Sequence, residues 1–387
     1  MKVIAIMPLA EQRGGGEMMF WDLMQQGRQA GIEWLAIFLE DGPMVEQVRS
    51  LGIDTRVIAS GRLRQVHRLI STVFQIALIA RREHVDAIAN WMWITHIYGG
   101  MAAIAAGLPA VWYQLEVPDG KSWLVRLATL LPARAIVTLS QDGQEAQAKI
   151  WPHRPTPLVY PGVALDRFEP NVLPSPMEAR MKLGLPIHGP LIGIVGRLQT
   201  WKGMHVLVDA MPQILQKYPD AHCVVVGGKH DLEPDYEGFL KTQIAALGLS
   251  DRVFMVGLQR NVPEWTQAMD IFVHASDKEP FGIVIIEAMA LGKPVIAGNA
   301  GGPTEIITDG VNGLLTPYGD ADALAIAILR YLEDPELTHT IGVAARQRAL
   351  DFSTQRYAQN FINVVRSAVS DVPKRLAVDT TTQSTFN

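Results

Sequence analysis

Cysteine is almost missing from this chain: Cys223 is the only one in 387 residues. No internal disulfide can form and no thiolate-rich metal site can be built, which suits a reducing cytoplasm. An excess of basic charge is missing too. A formal net charge of -5, with no aromatic-basic stripe, gives no global field that would gather nucleic acid, so no nucleic-acid partner is expected. Long apolar runs are the third absence. The stretch Leu69 to Ala80 is interrupted by Ser71, Thr72 and Gln75 and falls short of the ~20 apolar residues a spanning helix needs. The opening Met1-Lys-Val-Ile-Ala-Ile-Met-Pro8 breaks at Pro8 without the small-residue cleavage signal of an export peptide and reads as a first strand.

What is present describes a two-domain α/β protein. The chain is longer than one hydrophobic core usually serves, and its 48% hydrophobic and 19% charged residues are those of an ordinary globular fold. Short β-branched runs alternate with longer helical ones: Val3 to Met7, Glu33 to Leu39, Thr55 to Ile58, Ala87 to Asn90, Ala110 to Tyr113 and Ala135 to Leu139. That order implies a parallel sheet covered by helices on both faces. Between Pro161 and Pro190 the chain reads as an irregular, proline-rich linker. A second alternation follows through Leu191 to Val195, Cys223 to Val226, Val253 to Val256, Ile271 to His274 and Val295 to Ala297. The expected domains are therefore 1–168 and 175–350, then a last amphipathic helix over about 355–370 and a polar, Thr-rich frayed tail over 371–387.

Three segments carry candidate chemistry. Gly14-Gly15-Gly16-Glu17 lies between the first strand and its helix, where glycines let backbone N–H groups approach an anion. Met19 breaks the dinucleotide fingerprint G-x-G-x-x-G, which disfavours a dehydrogenase. At the equivalent place in the second half stands Gly196-Arg197-Leu-Gln-Thr-Trp-Lys202-Gly203. Its planar guanidinium and point-charge ammonium suit a diphosphate, which takes charge-assisted hydrogen bonds from more than one direction. The third and most specific segment is Glu279-Pro-Phe281-Gly282-Ile283-Val-Ile-Ile-Glu287. It joins a strand to a helix, so Phe281, Gly282 and Ile283 can offer free N–H groups to phosphate oxygens while Glu279 points into a cleft. Glu287 is the one charge between Ile283 and Leu291 and is expected to be buried; a ribose diol or a neighbouring Arg or Lys would satisfy it. Asp320-Ala-Asp322 superficially matches a paired-aspartate metal motif but precedes a helix and reads as an N-cap, so no metal is expected.

Taken together, the Gly-Gly-Gly-Glu17 loop, Gly-Arg-Leu-x-x-x-Lys-Gly203, and Glu279 with Glu287 eight positions on resemble the retaining glycosyltransferases often called family 4. Ser140 and Tyr160-Pro-Gly-Val-Ala-Leu-Asp-Arg-Phe168 add to the likeness, which spans nearly the whole chain. The resemblance implies a GT-B architecture, two Rossmann-like domains facing across a cleft, with the last helix crossing back to the first. It also implies a nucleotide-diphosphate sugar (UDP-, GDP- or ADP-linked) as donor and no separate cofactor. By the same resemblance Arg197 and Lys202 neutralise the diphosphate, Glu287 holds the ribose, Glu279 contacts the sugar near its anomeric centre, and Gly15 and Gly16 approach the phosphates from the other side. Members of that family carry a histidine after the fifth strand, where this chain reads Trp112-Tyr-Gln114-Leu-Glu116; Gln114 or Glu116 is the candidate polar contact there.

The function expected on this reading is transfer of a sugar to a saccharide or lipid-linked acceptor in surface-glycan assembly. Its rivals are a sugar-nucleotide epimerase of the same architecture and a silent nucleotide-sugar-binding scaffold. The segment 62–82, with Arg62, Arg64, His67, Arg68, Arg81 and Arg82 around an apolar middle, could rest on anionic lipid at the inner face of a membrane. The alternative is a helix whose apolar face lies in the core.

Overall fold

The structure, a computed structural model, describes residues 1–12, 14–27 and 30–370; the tail expected over 371–387 lies outside the described residues. The first unit runs β1 (Lys2–Met7), α1 (Gly15–Gly27), β2 (Glu33–Phe38), α2 (Pro43–Ser50), β3 (Asp54–Val57), α3 (Val66–Arg82), β4 (Ala87–Trp91), α4 (Met92–Ala106), β5 (Ala110–Gln114), α5 (Trp123–Leu130), β6 (Ala135–Thr138) and α6 (Gln141–Ala148). Helix α7 (Pro176–Leu183) leads to β7 (Leu191–Val195), α8 (Met204–Lys217), β8 (His222–Val226), α9 (Tyr236–Ala246), β9 (Val253–Gly257), α10 (Val262–Ala268), β10 (Ile271–His274) and α11 (Ile283–Ala290). Then come β11 (Val295–Gly298), α12 (Pro303–Ile306), β12 (Leu314–Thr316), α13 (Ala321–Glu333), α14 (Pro335–Ala349) and α15 (Thr354–Ser370).

The strands form two six-stranded sheets, ordered β3-β2-β1-β4-β5-β6 and β12-β11-β10-β7-β8-β9. Every pairing is parallel, as the strand–helix alternation requires. Period-two side chains serve both faces: Val3, Ala5 and Met7 of β1 pack with α1 and α15, while Ile4 and Ile6 pack with α3 and α4. Because both faces are covered, the strands read as unbroken apolar runs.

Two segments depart from the sequence reading. The proline-rich stretch is not irregular throughout: Ser175 accepts from the Glu178 N–H and Glu178 reaches back to the Ser175 N–H, a capping box with Pro176 at the first helical position, and α7 follows. The second sheet also gains a sixth strand, β12, three residues long, too short to show a period.

Helix α15 lies on the first unit although α14 packs on α11 of the second. Phe361 is wholly buried, with its ring 5.3 Å from Trp91 and 5.5 Å from Tyr113, and Tyr357 Oη donates to the Met19 carbonyl at 3.2 Å. The two crossings between the units run side by side: Val163 N–H donates to Phe352 O at 2.7 Å, and Thr354 N–H donates to Val163 O at 3.2 Å. A Cβ on Gly162 would lie 2.6 Å from the Thr354 backbone, so glycine is required for this close approach.

Candidate functional site

In each sheet the strand order reverses beside the unit's first strand, between β1 and β4 and between β7 and β10. Ligands in open α/β sheets collect beyond the strand carboxyl ends at such switch points. The loops after β1, β7 and β10 are the three that carry the sequence motifs.

The β7 and β10 loops are locked together. Gly203 has φ of 72°, and a Cβ there would lie 2.0 Å from the Ala275 carbonyl oxygen. Asp277 N–H donates to Trp201 O at 2.8 Å. The contact brings Lys202 onto Glu279 in a direct ion pair whose side chains are only 15% and 11% exposed, so the attraction acts in a medium far less screening than water. Lys202 also sits 4.1 Å from the centre of the Trp201 ring. Lys278, next to Glu279, holds φ of 48°, a conformation that costs a non-glycine residue ~1–3 kcal/mol and concentrates at functional loops.

His274, at the end of β10, completes the cluster with Nε2 at 3.1 Å from Glu279 Oε2 and 3.2 Å from Ser276 Oγ. Burial alone would push the Glu279 carboxyl up, but the Lys202 charge and the His274 hydrogen bond overrule it and bring its pKa down to about 2. Glu279 is therefore ionised at neutral pH. An ionised carboxylate only accepts, so His274 Nε2 carries the proton, and Glu279 is suited to receive hydroxyl hydrogen bonds and not to give a proton.

Arg197 is exposed at the mouth of the same loop, its Nη1 donating to His230 Nε2 at 3.2 Å. Glu233 fastens the turn between the two cations, accepting from Thr200 N–H at 2.8 Å and Thr200 Oγ1 at 2.6 Å. His230 and Glu233 were not foreseen. The rule that loops at strand carboxyl ends converge would have pointed to the segment after β8, but no motif marks it.

The N-termini of α1 and α11 face each other. A Cβ on Gly15 would stand 2.7 Å from Ile283 Cδ1, and one on Gly16 2.7 Å from Leu115 Cδ1. Gly282 caps α11 with φ of 104° and accepts from Ile285 N–H at 2.9 Å; Ile283 and Val284 stand first in the helix, where backbone N–H groups have no helix carbonyl to pair with. The Phe281 ring turns away from this gap into an aromatic cluster, 5.5 Å from Tyr160 and 5.6 Å from Phe352; only its backbone remains for a ligand.

Glu287 lies one turn further along α11, in a small cavity shared with Asp22 of α1 and with Arg167. No ion pair to Glu287 exists among the described residues. Burial pushes Glu287 up to about 8 and Asp22 up to about 7, Arg167 opposing both. Two carboxyls from opposite units thus share one poorly neutralised space, and the first proton comes off the pair more easily than the second.

Gln114 is corrected by the structure. It is not on a loop: it is the last residue of β5, paired with Thr138, 1% exposed, and neither polar atom of its amide has a partner among the described residues. The sheet extends one residue further than its apolar run, so Leu115 takes the wall position beside Gly16 and Glu116 is exposed beyond it. Asp320 accepts from the Ala323 N–H at 2.8 Å and caps α13. Among the described residues, no three His, Cys, Asp or Glu side chains gather as a metal site.

Comparison with known proteins agrees with this geometry. Residues 177–348 match the family described as glycosyl transferases group 1. The chain is 31% identical over 216 residues to the lipopolysaccharide core biosynthesis mannosyltransferase LpsB of Rhizobium meliloti, covering 55% of this chain and 61% of that one. It is 29% identical over 334 residues to the D-inositol 3-phosphate glycosyltransferase of Streptomyces griseus, covering 76% and 70%. The match spans 61% and 50% of the length of the first two curated relatives. Among solved structures, HepE of Anabaena in complex with UDP and glucose superimposes with a TM-score of 0.84 at 28% identity over 95% of this chain and 100% of that one. The same protein in complex with UDP-glucose gives 0.82. Residues 177–348 of the chain are thus similar to the glycosyl transferases group 1, and its paired six-stranded parallel sheets have the GT-B fold.

Proposed function

We propose that this chain transfers a sugar from a nucleotide-diphosphate sugar to a saccharide or lipid-linked acceptor, retaining anomeric configuration and needing no metal ion. The observation that carries the proposal is the junction of the β7 and β10 loops, where Lys202 pairs with an ionised Glu279 just before the N-terminus of α11 and Arg197 is exposed at the mouth of the β7 loop. Glycosyl transfer passes through an oxocarbenium-like state in which negative charge grows on the departing diphosphate. Fixed cations and helix N–H groups aimed at that charge lower the barrier, because they are already oriented when it develops. Glu279 orients the Lys202 ammonium and accepts hydrogen bonds from the sugar. The leaving diphosphate takes the acceptor's proton, so no protein nucleophile is required. Glu287 holds the ribose diol.

HepE is 28% identical and holds UDP and UDP-glucose, which makes a UDP-linked hexose the first donor to test. Incubating the purified protein with UDP-, GDP- and ADP-sugars and lipid or saccharide acceptors should release free nucleoside diphosphate, with a product of unchanged anomeric configuration by NMR. Release of no diphosphate from any donor, or an inverted product, would contradict the proposal.

The acceptor side favours a lipid surface. Helix α3 buries Ile76, Ala77 and Ala80 in the core, as the core-facing reading expects, but Val66, Ile70 and Phe74 recur at every fourth residue and are exposed, Phe74 by 68%. Trp123, Leu127 and Leu130 of α5 are exposed on the same flank, where α5 shares a core cluster with Leu63 and Leu69. Arg62, Arg64, Arg68 and Arg126, on or just before the same two helices, are exposed as well. Among the described residues no helix is long and apolar enough to cross a membrane, but a face of this composition lies on anionic lipid. The double substitution Ile70→Ser with Phe74→Ser should weaken co-sedimentation with phosphatidylglycerol vesicles about tenfold or more. Equal binding by the variant would remove this face from the account.

A further inference from the structure

Beside the two chain crossings, one carboxylate bridges the two units. Glu305, on the short helix α12 of the second unit, reaches the start of α6 in the first. Gln141 N–H donates to both of its oxygens, at 2.8 and 3.0 Å, and Tyr160 Oη donates to Oε2 at 2.9 Å. Gln141 Nε2 donates in turn to Tyr160 Oη at 3.4 Å. Helix α6 is a receptive partner because its first N–H groups lack helix carbonyls and its dipole favours negative charge there. Arg348 holds α12 from behind, donating to Glu305 O at 2.8 Å and Ile306 O at 3.2 Å.

The same short segment is fixed to the donor loop. Gly302 N–H donates to Glu279 O at 2.9 Å. A Cβ on Gly301 would lie 2.6 Å from Glu279 O, and one on Gly302 2.2 Å from Phe281 Cα, so the Gly301-Gly302 pair lies directly against the backbone of Glu279 to Phe281. The Tyr160 ring, whose hydroxyl binds Glu305, packs on Phe281 itself. Loop and clasp therefore move as one piece.

We infer that Glu305 is a positioning residue: it clasps the second unit to the N-terminus of α6 and thereby sets the placement of the Glu279 to Gly282 loop against the first unit. The clasp stands on geometry alone; its effect on donor use rests on the function proposed above.

Cys223, the sole native cysteine, is wholly buried, its thiol pushed up to about 12, so spin labels can be placed at introduced cysteines. With labels at Arg82→Cys in α3 and Ala245→Cys in α9, both exposed, the unliganded protein should give one narrow inter-unit distance. Glu305→Ala should broaden or lengthen it, Tyr160→Phe should do so partially, and Glu305→Gln, which keeps one acceptor for Gln141, should stay near wild type. Unchanged distributions in folded Glu305→Ala and Tyr160→Phe would overturn the clasp. In steady-state assays Glu305→Ala should raise donor KM about 5–30-fold, with Glu305→Gln recovering most of it. A widened distance with unchanged donor KM would overturn the link to the donor loop. If the wild type turns over no nucleotide sugar, the proposed function fails while the distance measurement still judges the clasp.

Discussion

Replacing Lys202 by alanine is expected to lower kcat/KM for the donor about 10²–10³-fold, the range found when one preorganised charge-stabilising donor is removed from an active site. The ammonium is held at one place by Glu279 and the Trp201 ring, so in the proposed reaction its attraction to a developing diphosphate charge would need no reorganisation. The substitution also strips Glu279 of its main counter-charge. With a pKa of about 2, below the ordinary carboxylate value, Glu279 contributes stability that is present above pH about 4.5 and lost as pH falls through 2. In Lys202→Ala that contribution should shrink, so the melting temperature should fall more at pH 6 than at pH 3. Lys202→Met, which keeps most of the stem, should lose the same activity. Near-normal kcat/KM in either variant would remove the lysine from the diphosphate site.

Glu287 carries the second large expectation, and its sign is opposite. Its pKa of about 8 lies above the ordinary value, so between pH about 4.5 and 8 the folded protein keeps a proton that the unfolded chain releases. Stability from this group is full at low pH and lost as pH rises through that window. Asp22, raised to about 7, acts in the same direction and shares the cavity. The wild-type melting temperature should therefore drop from pH 5 to 8.5 by roughly 5 °C more than that of Glu287→Gln. If the carboxylate takes a ribose diol, donor binding must favour the ionised form. Nucleoside diphosphate binding near pH 7 should then release a proton, read as a binding enthalpy that varies with the ionisation enthalpy of the buffer. Proton uptake, or no proton exchange, would contradict a ribose role for Glu287.

Much of this was legible in the sequence because it depends on local pattern. Parallel sheets buried on both faces leave unbroken apolar strands such as Leu191–Val195, and helices such as α13 and α15 announce themselves by period and cap. Lys202 and Glu279 could be named separately from their loops. That they touch could not, because the contact depends on the strand order that sets β7 beside β10 and on Gly203 admitting the Ala275 carbonyl. Helix α7 was hidden by the prolines around it, although Ser175-Pro-Met-Glu178 holds a full capping signal. Gln114 was misplaced because a polar residue after an apolar run looks like the start of a loop, while backbone pairing with Thr138 carries the strand one residue on. The partners of Asp22 and Glu305 could not be read from the sequence: each acts across the gap between units, on groups more than a hundred residues away in the chain.

The proposed diphosphate site places two cations, Arg197 and Lys202, at the junction of the β7 and β10 loops. Calorimetric titration of the wild type with UDP and with UMP, repeated on Arg197→Ala/Lys202→Ala, tests it directly. The wild type is expected to bind UDP at least tenfold more tightly than UMP, and the double variant to lose this preference. A double variant that still prefers UDP by the wild-type margin, with its fold intact, would contradict the claim.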